Sequence, residues 1–223
     1  MINISKRFEE IFELNGKLTT INAVPKQKVY GEQLIFFQGK EYREWNPFRS
    51  KIAGAIKKGL RKFPIKKGDR ILYLGAAEGT TISHLSDIVG EQGLIVGIDL
   101  SPRVMHKLMF LSEQRKNIIP LLEDAAHPEE YVPDLEGINF DFLYQDISQK
   151  NQAEIFCRNA DLFLKRDGFA MLAIKAKSIS QTLPVQKIFE MQKQELKGRF
   201  NILETLNLHP FDKEHQMISC VKK

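Results

Sequence analysis

The spacing of apolar residues changes character along this chain. From Gly68 onward, short apolar runs at 70–74, 94–100, 118–122, 138–146 and 168–176 alternate with segments at 80–89, 102–115, 150–164 and 184–196 whose apolar residues recur every three or four positions. The runs read as strands and the periodic segments as amphipathic helices. Such alternation predicts an α/β fold with a mostly parallel sheet covered by helices on both faces. The last part breaks the pattern. "FNILETLNL" and "HQMISCVKK" are joined only by "HPFDKE", too short for a parallel crossover, so they are expected to pair antiparallel.

A doubly wound sheet that ends in such a hairpin is the layout of class I, Rossmann-like methyltransferases rather than of dinucleotide dehydrogenases. Pro120, inside "NIIPLL", fits it, because proline belongs on an edge strand and the third strand of that layout is an edge. Residues 1–47 follow another pattern: short β-like pieces, "FEEIFEL", "KLTTINA" and "QLIFFQG", punctuated by Gly16, Pro25, Gly31 and Gly39. The expected organisation is a small β-rich N-terminal domain over 1–47, packed on a main domain over 48–223.

Composition narrows the class. With 223 residues, 43% hydrophobic and 27% charged, the chain can build one large core and a small accessory unit. No apolar run approaches the roughly 20 residues of a membrane span. The start, "MINISKRFEE", lacks the apolar centre of a signal peptide. A soluble, cytoplasmic protein is the expectation. Cys157 and Cys220 are far apart and in no Cys-x-x-Cys motif, which suggests reduced, packed thiols and neither a disulfide framework nor a metal site.

The net charge of +5 says less than its placement. Between Arg49 and Lys67 lie Arg49, Lys51, Lys57, Lys58, Arg61, Lys62, Lys66 and Lys67 with no acid among them, on a segment with helical apolar spacing (Ile52, Ala55, Ile56, Leu60, Phe63). Two readings stand side by side: a solvated helix face, and a patch facing nucleic-acid phosphates.

The stretch "LYLGAAEGTT", Leu72 to Thr81, is an apolar run that stops at glycine and then turns helical. A strand-to-helix turn built from Gly75, Ala76 and Gly79 lets a ligand approach the backbone, and the amides at the helix start favour a carboxylate or phosphate. The pattern is G-x-x-x-G, not the G-x-G-x-x-G of dinucleotide sites. Asp99, at the tip of the next strand in "LIVGIDL", is placed to accept both hydroxyls of an adenosine ribose. Asp124, after the third strand in "LLEDAA", is placed to meet an adenine amino group. The three together describe an adenosyl site with a carboxylate-bearing tail, which S-adenosylmethionine satisfies.

Other strand ends carry charge that a core would not choose. Asp146 terminates "FDFLYQD", Lys175 ends the apolar run "AMLAIKAK", and His215 opens the last strand. A lysine in a sheet covered on both faces needs a partner; Asp146 is the natural one, and Lys51 can join from the preceding helix. Methyl transfer to a sugar hydroxyl needs a base. A lysine serves only if its pKa is lowered, so a second ammonium and a positive sulfonium nearby are expected to push it down.

"EYREWNPFRSKIAGAI", "ILYLGAAEGTTISHLSDIVG", "NIIPLLEDAAHP" and "LHPFDKEHQMI" resemble fibrillarin, the family of box C/D guide-RNA-dependent ribose 2′-O-methyltransferases, over nearly the whole chain. "WNPFRSK" and "YLGAAEGTT" are its specific motifs. The Gly/Arg-rich start of eukaryotic members is absent, which matches the archaeal form. The resemblance implies a catalytic set at Lys51, Asp146, Lys175 and His215. For the donor S-adenosylmethionine it implies Thr80 and Thr81, Asp99 with Leu100, Asp124 with Ala125, and the turn from Asp146 to Gln149. Tyr73 stands where methyltransferases in general carry an acid, and Glu78 where eukaryotic fibrillarin has serine; the methionine amino group then falls to backbone or Asp146. The resemblance further implies a particle in which a box C/D guide RNA selects the rRNA or tRNA target beside a coiled-coil scaffold protein and a kink-turn-binding protein. Two alternatives stay open: a ribose methyltransferase that needs no guide, and a catalytically silent RNA- or scaffold-binding subunit.

Overall fold

Five short strands open the chain: β1 (Ile4–Phe8), β2 (Ile11–Leu14), β3 (Lys17–Ile21), β4 (Leu34–Phe37) and β5 (Lys40–Glu44). In the computed structural model, which describes residues 3–223, they form an antiparallel sheet in the order β1-β2-β3-β5-β4. Met1 and Ile2, which begin the unit expected at 1–47, lie outside the described residues. "FEEIFEL", read as one β piece, contributes to two strands, because Glu10 adopts a positive φ of 56° and turns the chain. Asn15-Gly16 and Gln38-Gly39 make two-residue hairpin turns with positive φ at both positions, the backbone that suits the strand twist.

Helix α1 (Lys51–Lys57) follows, and then the alternation begins: β6 (Arg70–Leu74), α2 (Thr80–Val89), β7 (Leu94–Asp99), α3 (Pro102–Gln114), β8 (Ile118–Leu122), β9 (Phe140–Gln145), α4 (Gln152–Phe163), β10 (Leu164–Lys175), α5 (Ala176–Ile179), α6 (Val185–Leu196), β11 (Phe200–Asn207) and β12 (His215–Lys222). Among the described residues the strands build a seven-stranded sheet, β11-β12-β10-β9-β6-β7-β8. β6 through β10 run parallel, and β12 lies antiparallel to both β10 and β11. Pro120 sits on β8, an edge strand, as expected.

Period-two burial sorts the sheet residues to two cores. Ile71 and Tyr73 face α1, α2, α3 and the N-terminal sheet, whereas Leu72 and Leu74 face α4 and α6. One helical expectation is corrected. The segment 49–67 is helical only from Lys51 to Lys57; Gly59, at a φ of 93°, ends it. Leu60, Phe63 and Ile65 are nevertheless buried in the same core, so their spacing reported burial, not helix. Among the described residues no helix is long and apolar enough to cross a membrane. Both cysteines are buried free thiols, and burial raises the Cys157 thiol to about 11.

Candidate active site

The strand order reverses between β9-β6 and β6-β7, and a crevice opens there at the carboxyl ends of the parallel strands, the usual ligand position in such sheets. A cavity of about 440 Å³ lies at this point, lined among others by Gly75, Ala77, Asp99, Leu100, Glu123, Ala125, Asp146, Gln149 and Lys175. That volume is in the range of small-molecule sites.

Its floor requires glycine. Gly75 has a φ of 81°, and a Cβ there would stand 2.6 Å from the backbone oxygen of Asp146. The two strand ends therefore meet backbone to backbone, and Asp146 N donates to Leu74 O at 2.9 Å. Asp99 holds the loop from the other side: Oδ2 accepts from Ala77 N at 3.1 Å and Oδ1 from Ser101 N at 3.0 Å. Asp124 Oδ1 accepts from Ala126 N at 2.9 Å and from the Gln149 amide at 2.7 Å. Gln149 Oε1 is buried without a partner.

Ala76, Gly79, Thr80 and Thr81 lie in the loop after β6 and in the first turn of α2. Ala76 is buried against the Gly97 backbone, and Gly79 packs against Leu111, so both shape the loop. Thr81 donates to Ser50 Oγ at 3.0 Å, and Thr80 lines a second depression beside Tyr30, Arg49 and Lys107. Glu123, in the cavity wall, was missed by sequence reasoning; its only signal was adjacency to Asp124.

The four charged candidates are brought together. Lys51 Nζ lies 3.2 Å from Asp146 Oδ2, and Lys175 Nζ lies 2.9 Å from Asp146 Oδ1. The Lys175 ammonium directs its hydrogen bonds to Asp146 O at 3.0 Å and Ser148 Oγ at 3.2 Å, so the 2.9 Å approach is an ion pair and not a well-aligned hydrogen bond. Sheet register explains His215, the direct partner of Lys175 across β10 and β12. His215 reaches the lysines through Asp212, a residue the sequence reading passed over: Asp212 Oδ1 is 2.7 Å from His215 Nδ1 and Oδ2 is 3.2 Å from Lys51 Nζ. His215 Nδ1 also meets Lys213 O at 2.6 Å; both partners are acceptors, so Nδ1 carries a proton. Gln152 fixes the Lys175 backbone, accepting from its N–H at 2.9 Å.

Around Lys51 the carboxylates outweigh both burial and the neighbouring ammonium. Burial disfavours the Lys51 ammonium, yet Asp146 and Asp212 together hold it above the ordinary lysine value. Burial likewise works against the Asp212 carboxylate, and His215 with Lys51 holds it below the ordinary carboxylate value. Tyr73 and Tyr144 stand behind Asp146, their phenols raised by burial and by that carboxylate.

The basic segment is less free than its sequence suggested. Lys57 pairs with Glu13, Arg61 with Glu204 and Lys67 with Glu10, at 3.2, 3.1 and 3.1 Å. Lys58, Lys62 and Lys66 remain exposed.

A reversed parallel sheet, a closing antiparallel hairpin and a cavity at the reversal define a class I methyltransferase fold. The fibrillarin family model matches residues 2–223, and the chain belongs to that family. It is 48% identical over 201 residues to the fibrillarin-like rRNA/tRNA 2′-O-methyltransferase of Pyrococcus furiosus, covering 90% of this chain and 88% of the relative. The crystal structure of Aeropyrum pernix fibrillarin with natively bound S-adenosyl-L-methionine superposes with a TM-score of 0.88 at 42% identity, over 99% of this chain and 100% of that one. A fibrillarin/Nop5p complex matches with a TM-score of 0.87 at 39% identity, over 96% and 98% of the two chains.

Proposed function

We propose that this chain transfers a methyl group from S-adenosylmethionine to a ribose 2′-hydroxyl of rRNA, and of tRNA, in the cytoplasm. A box C/D guide RNA selects the target, in a particle that also holds a coiled-coil scaffold protein and a kink-turn-binding protein. The observation that carries the reading is the chain Lys175–Asp146–Lys51 at the cavity wall. Similar proteins support it: one is a methyltransferase of rRNA and tRNA, one binds the donor, and one assembles with Nop5p.

The cavity fits the donor. Gly75 lines it with bare backbone, Asp99 offers a carboxylate, and the partnerless Gln149 Oε1 can take a donor hydrogen. Asp99 with Leu100 is to hold the ribose side, Asp124 with Ala125 and Gln149 the adenine side, and Gly75 with Asp146 the amino-acid tail. When bound, S-adenosylmethionine supplies a methyl group on positively charged sulfur, which leaves with the electron pair of the broken bond.

Lys175 faces one carboxylate where Lys51 faces two. Lys175 is therefore the base, which as its neutral amine accepts the 2′-hydroxyl proton and becomes the ammonium, and Lys51 stays a fixed cation. Asp146 orients both lysines. A sugar hydroxyl marks RNA rather than DNA, and the exposed lysines near Lys58 suit a phosphate backbone.

The test is a methylation assay on one RNA, first alone and then with guide RNA and partner proteins. Methylation only in the complete mixture is expected. Equal rates without guide and partners would favour a self-sufficient enzyme, and no methylation in either case would favour a silent subunit.

A further inference from the structure

Asp212 lies in the link between β11 and β12, where its N–H donates to Leu208 O at 3.1 Å. Next to it, Phe211 packs edge-on against Phe48 with ring centroids 5.1 Å apart. Phe211 also lies against Gly54 of α1, where even a methyl group would come within 3.4 Å of its Cβ. The link is thus fastened to the helix that carries Lys51. Its carboxylate then reaches two side chains from different elements, Lys51 at 3.2 Å and His215 at 2.7 Å.

We propose that Asp212 is a positioning residue for methyl transfer, holding Lys51 as a permanent ammonium and His215 in one ring orientation beside the reacting groups. The role rests on Lys175 being the base, as proposed above. Positive and negative groups alternate from Lys175 through Asp146, Lys51 and Asp212 to His215. Without Asp212, Asp146 would be the sole counter-charge for two ammonium groups that are 17% and 18% exposed. Lys51 would then compete with Lys175 for the same carboxylate. With Asp212 in place, Lys51 keeps its charge while Lys175 takes up and releases a proton, and Asp146 stays where Lys51 holds it.

The groups facing Lys51 are Asp146 from the end of β9 and Asp212 from the β11–β12 link. Behind these carboxylates stand Lys175, His215 and the Tyr144 phenol. The Lys177–Glu214 pair, at 3.8 Å, joins α5 to the residue preceding His215.

The experiment compares Asp212→Asn and Asp212→Glu with wild type. In the assembled particle it reads kcat, KM for S-adenosylmethionine and the pH–rate profile; in the full chain alone it reads the Lys51 ammonium titration by NMR. For Asp212→Asn, kcat is expected to fall by about tenfold or more, with KM for the donor within about twofold. The Lys51 titration is expected to move down by about one pH unit or more, and the alkaline limb of the rate profile with it. Asp212→Glu should recover most of both. An unmoved Lys51 titration would overturn the clamp, and a moved titration with unchanged kcat would overturn its part in the reaction. Loss of melting temperature together with activity, unrescued by glutamate, would make Asp212 a structural residue and overturn the proposal as well. A Lys175→Met variant methylating at the wild-type rate would instead refute the base assignment, which the Lys51 titration does not depend on.

Discussion

Asp146 serves two lysines, and the consequence is measurable in a double-mutant cycle. Lys175→Met keeps the stem and removes the ammonium, leaving Asp146 still paired with Lys51 at 3.2 Å. Stability should hold, with the melting temperature within a few degrees of wild type. Methylation should fall at least about 100-fold, the lower end of what a positioned base contributes, or about 2.7 kcal/mol of barrier. Asp146→Asn is different, because it strips the counter-charge from ammonium groups 3.2 and 2.9 Å away. Each pair is worth about 5 kcal/mol of gross attraction at an effective dielectric of about 20, most of it offset by desolvation. Lys51 keeps Asp212, so the net loss of stability should sit at or below the lower end of the range for broken buried pairs, about 3 kcal/mol. Activity should fall as far as for Lys175→Met. Adding Lys175→Met to Asp146→Asn should cost little more activity and should recover stability, since one unpaired ammonium disappears. Single-turnover methylation at saturating donor and scanning calorimetry read the two quantities. If the rate losses multiply in the double mutant, Lys175 and Asp146 act independently, and the shared-carboxylate account fails.

Asp99→Ala should weaken S-adenosylmethionine binding by about 1–3 kcal/mol, the cost of leaving polar groups without their acceptor; unchanged affinity by calorimetry would remove Asp99 from the site. Replacing Lys58, Lys62 and Lys66 by Gln should flatten the salt dependence of RNA binding by up to about 0.7–0.9 per lost phosphate contact, while donor affinity stays put. A wild-type salt slope would leave these lysines as a solvated surface. His84 is buried, and burial, Arg43 and Arg115 hold its pKa well below 6.5. The unfolded chain therefore binds the proton first, and stability should decline as pH falls below that value. Denaturant titrations from about pH 7 to about pH 5 should show this slope in wild type and a shallower one in His84→Gln.

Much of the fold was legible because burial period and connection length are local properties. The alternation after Gly68 and the antiparallel closing hairpin follow from spacing and link length alone, and the edge position of Pro120 from the ladder donor that proline lacks. Asp146, Lys175 and His215 stood out as charges at strand ends, and register brings Lys175 and His215 side by side. What the sequence hid were relations made by tertiary packing. Lys57, Arg61 and Lys67 looked like an open basic face, but their acids come from β2, β11 and the turn between β1 and β2. Asp212 was inconspicuous in a polar link, although an acid three residues before His215 was a usable signal. The rise in the Lys51 pKa was invisible for the same reason, since it needs two carboxylates from distant segments.

The N-terminal sheet bears on the same site through α2. Asp87, on that helix, accepts from Thr20 Oγ1 at 2.7 Å, Ala23 N at 3.0 Å, Arg43 Nη1 at 2.8 Å and Arg115 Nη1 at 2.6 Å. Arg43 is also paired with Glu32 at 2.7 Å, so two buried cations meet two buried anions. A neutral His84, between Thr20 and Tyr30 at 2.8 Å each, fits that balance without adding charge. Apolar contact alone would let a helix slide on a sheet with small changes in energy. A carboxylate with four directed donors resists sliding, because each misplaced bond leaves a buried polar group unsatisfied. The other end of α2 carries the Gly75–Gly79 loop, and Thr81 in its first turn is hydrogen-bonded to Ser50, the residue before Lys51. Donor loop and fixed cation are thus referred to one helix, and that helix is anchored by the N-terminal sheet. In-line transfer tolerates displacement of only about 0.5 Å, which gives a buried ionic anchor at Asp87, far in sequence from both Lys51 and Lys175, a direct bearing on the rate.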